Sequence, residues 1–303
     1  MAVYKRAYRP YTGTLTPAWS RFLVLPRYAF STLFRSRFLT SYFVLCFVPA
    51  IIAAGIIYLW NTPAARVLLG GPSDNNALSF AIDGRFFYYL LRGQSGMIFL
   101  LAAWVGPTLV APDLANNALP LYLCRPFSRT EYVLGKMSVL VILLSSTTWV
   151  PDLLLYGLQA VLAGGNWFWT HGHIAYAIFV GSALWITIVS LLALAMSAWV
   201  KWRIAASALI VGIFFVAAGF GQAFNAVLRT YWGYLLNLTY LIKTVWEDLF
   251  DIPAVATVSR RGNIPWQDMD IPVGVAWITL LLLGFCCLLL LNRRLRAKEV
   301  VRG

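Results

Sequence analysis

Long apolar segments separated by polar connections dominate the chain. A membrane-spanning helix needs about 20 mostly apolar residues, because each residue adds only 1.5 Å along a helix that must cross roughly 30 Å of hydrocarbon. Six segments meet or approach this length: 38–60, 96–112, 136–163, 173–200, 204–228 and 273–292. Away from their ends, Asp152 is the only Asp, Glu, Lys or Arg in them. The pattern predicts an all-α, polytopic membrane protein with six transmembrane helices.

Two further segments are amphipathic without having the apolar length of a span. In residues 19–37, apolar residues share one helical face and basic residues lie opposite, which is typical of a helix in the lipid headgroup plane. The alternative is a solvated basic leader. In residues 228–251, apolar residues recur every three or four positions, which predicts a helix on the outer membrane surface or docked against spans or a partner. The connection 61–95 is predicted to hold only a short aromatic helix near 86–91.

Composition and charge fit a membrane protein and orient it. The chain has 303 residues, of which 60% are hydrophobic and 12% charged, whereas soluble domains have roughly 45–50% and about 25%. The net charge is +13, and residues 1–37 hold seven basic residues and no acid. Because Lys and Arg are retained on the cytoplasmic side, both termini are predicted to be cytoplasmic. The charge is thus a topological signal, and no nucleic-acid partner is expected.

These observations predict a single transmembrane domain over residues 1–303. It comprises a cytoplasmic leader with an N-terminal amphipathic elbow helix (1–37), a six-helix membrane domain (38–292) and a cytoplasmic tail (293–303). The chain has no P-loop, since Gly135 and Lys136 are followed by Met and lack the preceding glycine. The sequence also shows no metal-ligand pattern. We therefore expect no catalytic, cofactor-binding or metal-binding residues and no enzyme activity of this chain by itself.

Asp152 follows Pro151 near the middle of the third predicted span. A lone carboxylate there costs about 2.5–3.5 kcal/mol on insertion scales, so it should face a polar cavity or a partner. Pro151 is predicted to kink the helix. Two interpretations remain open. Asp152 either lines a transport pathway, or it is a structural residue that is capped by hydroxyls of residues 145–148 or displaced toward the outer interface.

The connection between the second and third spans has the most specific pattern. A short amphipathic piece at 114–123 is followed by a break at Arg125 and Pro126. Ser128 can then cap the next helix, with Glu131 at its third position. A bent cytoplasmic element tied directly to a membrane helix is suited to transmitting force from a partner.

This connection resembles the signature of ABC-2 type permeases, the membrane subunits of ABC exporters. In that signature an acidic residue, a Leu step, an Arg-Pro-(Ile/Phe/Val)-Ser-Arg run and a terminal Gly-Lys recur. The matching residues are Asp113, Leu119, Arg125, Pro126, Ser128, Arg129, Glu131, Tyr132, Gly135 and Lys136. The chain departs from the signature at residues 116–118, where Asn-Asn-Ala replaces the more usual charged residue and Gly-Thr step.

The resemblance implies the membrane-spanning permease subunit of an ATP-driven exporter in a bacterial cytoplasmic (inner) membrane. It implies two separate ABC ATPase subunits, which would bind ATP and Mg, and a second permease that is either a copy or a paralogue. Closure of the ATPases would push the element 114–130 and the elbow 19–36. The implied ATPase-coupling residues are Asp113, Leu119, Arg125, Pro126, Arg129, Glu131, Gly135 and Lys136.

Two alternatives remain open. The chain could be an ATP-coupled membrane subunit that acts on an external partner without transport, with residues 228–251 as the docking site. It could also be an ion-coupled secondary transporter that uses Asp152, the candidate pathway residue.

Overall fold

The computed structural model describes residues 24–62, 81–116, 129–200, 202–252 and 271–294. Within these ranges the chain is helical and contains no strand. The helices are α1 (Val24–Leu33), α2 (Arg37–Leu45), α3 (Val48–Asn61), α4 (Gly84–Ala115), α5 (Arg129–Ser145), α6 (Trp149–Ala163), α7 (Trp167–Thr170), α8 (Gly172–Trp199), α9 (Arg203–Leu228), α10 (Leu238–Leu249) and α11 (Val273–Arg294). A 3₁₀ helix at Trp232–Leu236 precedes α10.

Six helical stretches are long and apolar enough to cross a membrane. They are Arg37–Asn61, Gly84–Asp113, Thr130–Ala163, Gly172–Trp199, Arg203–Leu228 and Val273–Arg294. The predicted number of spans is confirmed, and five of the six predicted ranges need only small shifts at their ends. The described chain is therefore an all-helical, multi-pass membrane protein.

The predicted second span, 96–112, is too short at its N-terminal end. The aromatic stretch near 86–91 is not a separate short helix, because it is continuous with the span in the 32-residue helix α4. The polar residues after this stretch form hydrogen bonds within the bundle, so the helix continues without interruption. The Arg92 guanidinium donates to the hydroxyl of Tyr88, and the amide of Gln94 donates to Asp152. Polar residues that find partners inside a bundle do not have to end a membrane helix.

Helix α8 is the central helix of the bundle. It packs against α4, α5, α6, α9, α10 and α11, and 72% of its most apolar window is buried, compared with 17% for the spans of α9 and α11. It approaches α4 closely at Gly106, where an added Cβ would lie 2.6 Å from the Cβ of Ala193. Small residues at such crossings allow membrane helices to approach closely without a hydrophobic driving force.

Two of the spans are interrupted next to a proline. In the first span, α2 ends at Leu45 and α3 begins at Val48, with Pro49 in the first turn of α3. In the third span, residues 146–148 separate α5 from α6, and Pro151 lies in the first turn of α6. Proline is tolerated in a first turn because the N–H groups there have no intrahelical acceptor. The kink predicted near Pro151 is confirmed as a break in the helix.

The prediction of one continuous helix over residues 228–251 was also wrong. Helix α9 ends at Leu228, Arg229 adopts the left-handed conformation (φ 52°), and the chain then turns back through the 3₁₀ helix into α10. The 3₁₀ helix packs on α9 where Gly233 meets Gly221, and the Gly233 N–H donates to Asn225 Oδ1 at 2.6 Å. The returning segment therefore doubles back on the span that precedes it.

Helix α10 buries its apolar face against the chain itself. It packs against α8, α9 and α11 and buries Leu238, Leu241, Ile242, Val245 and Trp246. The indole N–H of Trp246 donates to the carbonyl of Gly181 in α8 at 3.0 Å. Of the predicted arrangements, docking against other spans is the one observed.

Helix α1 occupies part of the segment 19–37 that was predicted to be amphipathic. It buries Pro26 and Leu33, packs against α5 and leaves Arg27 exposed. Residues 19–23 lie outside the described part of the chain. A helix is thus present at 24–33, while its placement on a membrane surface remains a prediction.

Candidate functional site

Three residues of the 111–136 connection meet at the junction of the second and third spans. The ammonium of Lys136 lies 2.8 Å from Asp113 Oδ2, and the hydroxyl of Tyr132 donates to the same oxygen at 2.8 Å. Tyr132 is buried, and the ammonium of Lys136 also lies 5.6 Å from the centre of its ring. We call these three residues the junction cluster.

The two helices that carry the junction cluster explain its geometry. Asp113 lies in the last turn of α4, while Tyr132 and Lys136 lie four residues apart on one face of α5. The end of α4 is held by Ser197 of α8, whose hydroxyl accepts from the N–H of Ala111 (3.0 Å) and donates to the carbonyl of Pro107 (3.4 Å). The end of α4 that carries the carboxylate is therefore held by α8 through Ser197 and by α5 through Tyr132 and Lys136.

The junction cluster closes the connection between the two spans. Residues 117–128, which carry Leu119, Arg125 and Pro126, lie outside the described part of the chain. Asp113 comes just before this stretch, and Tyr132 and Lys136 come just after it. A nearly buried ion pair across the two ends keeps the second and third spans together at this level.

The other predicted coupling residues are placed less completely. Glu131 lies in the first turn of α5, where a carboxylate is favourable beside the positive end of the helix dipole. Gly135 is buried, and its carbonyl accepts from the hydroxyl of Ser138. Arg129 begins α5, but its side chain lies outside the described part. Ser128, the predicted cap of this helix, also lies outside it.

Asp152, the candidate pathway residue, is completely buried between spans. Its Oδ1 accepts a 2.9 Å hydrogen bond from the amide nitrogen of Gln94 in α4. The other carboxyl oxygen and the amide oxygen of Gln94 are also buried, and neither has a partner among the described residues. Two buried acceptor oxygens on hydrogen-bonded side chains therefore lack a donor among the described residues.

The hydroxyls near Asp152 do not cap it as the structural interpretation predicted. Those of Ser146, Thr147 and Thr148 donate instead to the carbonyls of Leu143 or Leu144. Because the helix breaks at residues 146–148, the N–H of Thr147 donates to the carbonyl of Leu144 and not to that of Leu143. The hydroxyls satisfy the broken backbone, and the partner of the carboxylate comes from another span.

A second polar group lies on the same helix, close to Gln94. The Arg92 guanidinium donates to the Tyr88 hydroxyl at 2.9 Å, and this hydroxyl donates to Glu247 Oε1 of α10 at 3.1 Å. Lys243 lies 3.5 Å from the same carboxylate oxygen. Tyr88, Arg92 and Gln94 all lie in the first half of α4, and we call these three residues the polar belt.

Sequence reasoning missed Gln94, Arg92 and Glu247 as members of these groups. They fall in segments that were assigned to extramembrane connections, so their polarity attracted no attention. Gln94 binds Asp152, 58 residues away in the sequence, and Glu247 binds Tyr88, 159 residues away. A signal was nevertheless present, because Arg92 and Gln94 stand between two long apolar stretches that together have the length of a single helix.

No protein-family model matches the sequence, and no curated protein matches it. Interpretation of the function therefore depends on the pattern of the 111–136 connection and on the geometry of the junction cluster and the polar belt.

Proposed function

We propose that the chain is the permease subunit of an ATP-driven exporter of the ABC-2 type. The observation that carries this proposal is the junction cluster. Asp113, Tyr132 and Lys136 all belong to the ABC-2-like pattern, and they bind one another across the two ends of the connection. The shared pattern therefore corresponds to a physical tie between two membrane spans.

The tie gives the connection a mechanical role. A force applied to residues 117–128 acts on α4 and α5 together, because the ion pair joins their ends. Helix α1 packs on α5 and, with Lys136, lines a cavity of about 300 Å³, so an elbow at this position would move with the same helix. Single surface contacts with a partner contribute only about 0.2–1 kcal/mol each, so the coupling is geometric.

The assembly that goes with this function has five features. Two separate ATPase subunits bind ATP and Mg, and a second permease, either a copy or a paralogue, completes the membrane part. Helix α1 lies in the headgroup plane as an elbow. Both termini face the cytoplasm, and the membrane is a bacterial inner membrane.

Co-purification tests the assembly. The tagged chain, isolated in mild detergent from its own cells, should retain a soluble protein with a P-loop at a fixed stoichiometry. Arg125→Glu reverses a charge in the connection and should uncouple ATP hydrolysis from export. The matched control, Arg85→Glu, reverses an exposed charge at the start of α4 and should leave coupling intact. Absence of any P-loop partner would refute the proposal.

The pair Asp152 and Gln94 favours a second candidate function, ion-coupled secondary transport. Two unpartnered oxygens inside the bundle could hold a proton or a cation during transport. In that case Asp152→Asn should abolish transport, and depletion of ATP with the ion gradient maintained should not. The exporter proposal makes the opposite prediction for ATP depletion.

The third alternative, action on an external partner, loses the observation that suggested it. The apolar stripe of residues 228–251 packs within the chain through α10. It is therefore not an open apolar face for a docking protein.

A further inference from the structure

A small cavity lies between the polar belt of α4 and helix α10. It has a volume of about 200 Å³ and is lined by Arg92, Ser95, Asn237, Thr239, Lys243 and Trp246, together with Trp185, Tyr240 and Ile242. A 150 Å³ cavity takes a benzene ring, and drug-sized ligands occupy about 300–1,000 Å³. The cavity therefore suits one headgroup-sized part of a ligand.

The charge in this cavity is positive. Arg92 and Lys243 contribute cations to the lining, and no carboxylate of the described residues lines it. The nearest acid, Glu247, accepts from Tyr88 and lies 3.5 Å from Lys243. That separation is longer than the 2.7–2.9 Å of a strong charge-assisted bond, so Lys243 is not locked to it. One carboxylate for two cations leaves one positive charge in excess.

The position of Arg92 makes this excess unusual. Arg92 lies eight residues after the start of α4, about 12 Å along the helix, within the stretch that is apolar enough to span a membrane. A cation inside a span costs about 2.5–3.5 kcal/mol on insertion scales and as a rule marks a functional position. Among the described residues, its guanidinium donates only to the neutral hydroxyl of Tyr88, which leaves most of the guanidinium donors for a ligand.

The lining offers more hydrogen-bond donors than a carboxylate can use. Besides the guanidinium and the ammonium, it includes the hydroxyl of Thr239 and the amide of Asn237, whose oxygen caps α10 by accepting from the N–H of Tyr240. The Asn237 nitrogen is not used in that cap. Arginine forks and several surrounding donors match the oxygens of a tetrahedral oxyanion. Two Trp rings and Tyr240 supply flat apolar walls for the group to which the oxyanion is attached.

We propose that this cavity binds a phosphate ester, with Arg92 and Lys243 on its oxygens and the aromatic walls against the group esterified to it. The claim that this ester is the exported substrate rests on the proposed function. The claim that the cavity binds a phosphate ester does not. The ester comes either from a lipid headgroup or from a soluble compound, and the chemistry of recognition is the same for both.

Binding to the chain alone tests the site. The full chain is placed in galactolipid nanodiscs, which contain no phosphate ester, without nucleotide or ATPase, and phenyl phosphate is titrated by calorimetry. Saturable binding is expected, weakening as salt is raised. Arg92→Gln and Lys243→Gln should each weaken it about tenfold or more, because each removes a charge-assisted bond. Failure of phenyl phosphate to bind saturably at millimolar concentrations would overturn the proposal.

Matched variants and probes make the result specific. Arg85→Gln removes an exposed cation two turns earlier on α4 that is absent from the lining, and it should leave the affinity unchanged. Thr239→Val, at an exposed position, should weaken binding without altering the fold and serves if Arg92→Gln does not fold. Wild-type affinity in Arg92→Gln, Lys243→Gln and Thr239→Val would refute the site, and equal binding of benzoate would refute the phosphate assignment.

Two further arms identify the source of the ester. Competition by phosphatidylglycerol in the nanodisc indicates a lipid headgroup, and competition only by soluble phosphate esters indicates a free compound. Because the titration contains no ATPase, its failure would count against this site alone. Loss of the co-purifying P-loop protein would count against the exporter function and leave the binding result standing.

Discussion

Lys136→Met is the most informative perturbation of the junction cluster, because it removes the cation and keeps the apolar stem. The ammonium lies 2.8 Å from Asp113 Oδ2, and the two side chains are 11% and 17% exposed. Removing one partner of a buried ion pair costs about 3–5 kcal/mol, since the remaining charge stays buried without compensation. The hydroxyl of Tyr132 still donates to that carboxylate. We therefore expect the lower end of the range, a loss of about 3 kcal/mol.

The double variant separates the ion pair from the packing of its members. Asp113→Asn combined with Lys136→Met removes both charges and leaves an acceptor for Tyr132. Asp113→Asn alone should lose about 2–3 kcal/mol, because it leaves the ammonium of Lys136 without its carboxylate. The double variant should lose no more stability than Lys136→Met alone, so the coupling energy equals the loss of Asp113→Asn, about 2–3 kcal/mol. Additive losses would show that the two side chains do not act as a pair.

Reversible unfolding by SDS in mixed micelles, followed by circular dichroism, measures these losses. The matched control is Lys243→Met, which breaks an ion pair of 3.5 Å whose side chains are 39% and 30% exposed. Exposed pairs contribute about 0–1 kcal/mol, so the control should lose much less. A loss for Lys136→Met no larger than that of the control would refute the junction cluster as a tie between spans.

Two further predictions concern the interior of the bundle and use the same unfolding assay. Asp152→Asn keeps an acceptor for Gln94 and supplies a donor for its unpartnered oxygen, so stability should not fall. Asp152→Leu removes the acceptor and should cost about 1–3 kcal/mol. A loss for Asp152→Asn as large as that for Asp152→Leu would contradict this pairing. Gly106→Ala brings a Cβ to 2.6 Å from that of Ala193 and should cost about 1–3 kcal/mol through overpacking. Gly96→Ala, with open space around the added Cβ, should cost nothing, and equal effects of the two would contradict the close crossing of α4 and α8.

The spans could be predicted from the sequence because the membrane constrains them so strongly. A helix that crosses lipid must be about 20 residues long and apolar on most of its surface, and this is visible in the order of residues alone. The second span was misjudged because Arg92 and Gln94 looked like the end of a connection. Their partners, Tyr88 and Asp152, make them acceptable inside α4.

The fold of residues 228–251 shows what an amphipathic pattern leaves undetermined. The stripe correctly indicated a buried face on α10, but it could not indicate which surface covers that face. The turn at Arg229 and the contact of Gly221 with Gly233 decide that the chain doubles back. Both depend on two backbones meeting in space, and no local period encodes such a contact.

Helix α4 connects the two polar groups that the structure reveals. Gln94 and Arg92 lie in its first half, and Asp113 lies 19 residues after Gln94, about 28 Å along the same helix. Ser197 bridges Pro107 and Ala111 between them, where a proline removes one N–H from the helix. If α4 moves as a rigid body, a displacement of the junction cluster also displaces Gln94, which binds Asp152, and Arg92, which lines the cavity. The three sites thus share one helix. An altered phosphate-ester affinity in Lys136→Met would show that α4 transmits the change past Pro107, and an unchanged affinity would show that the sites are independent.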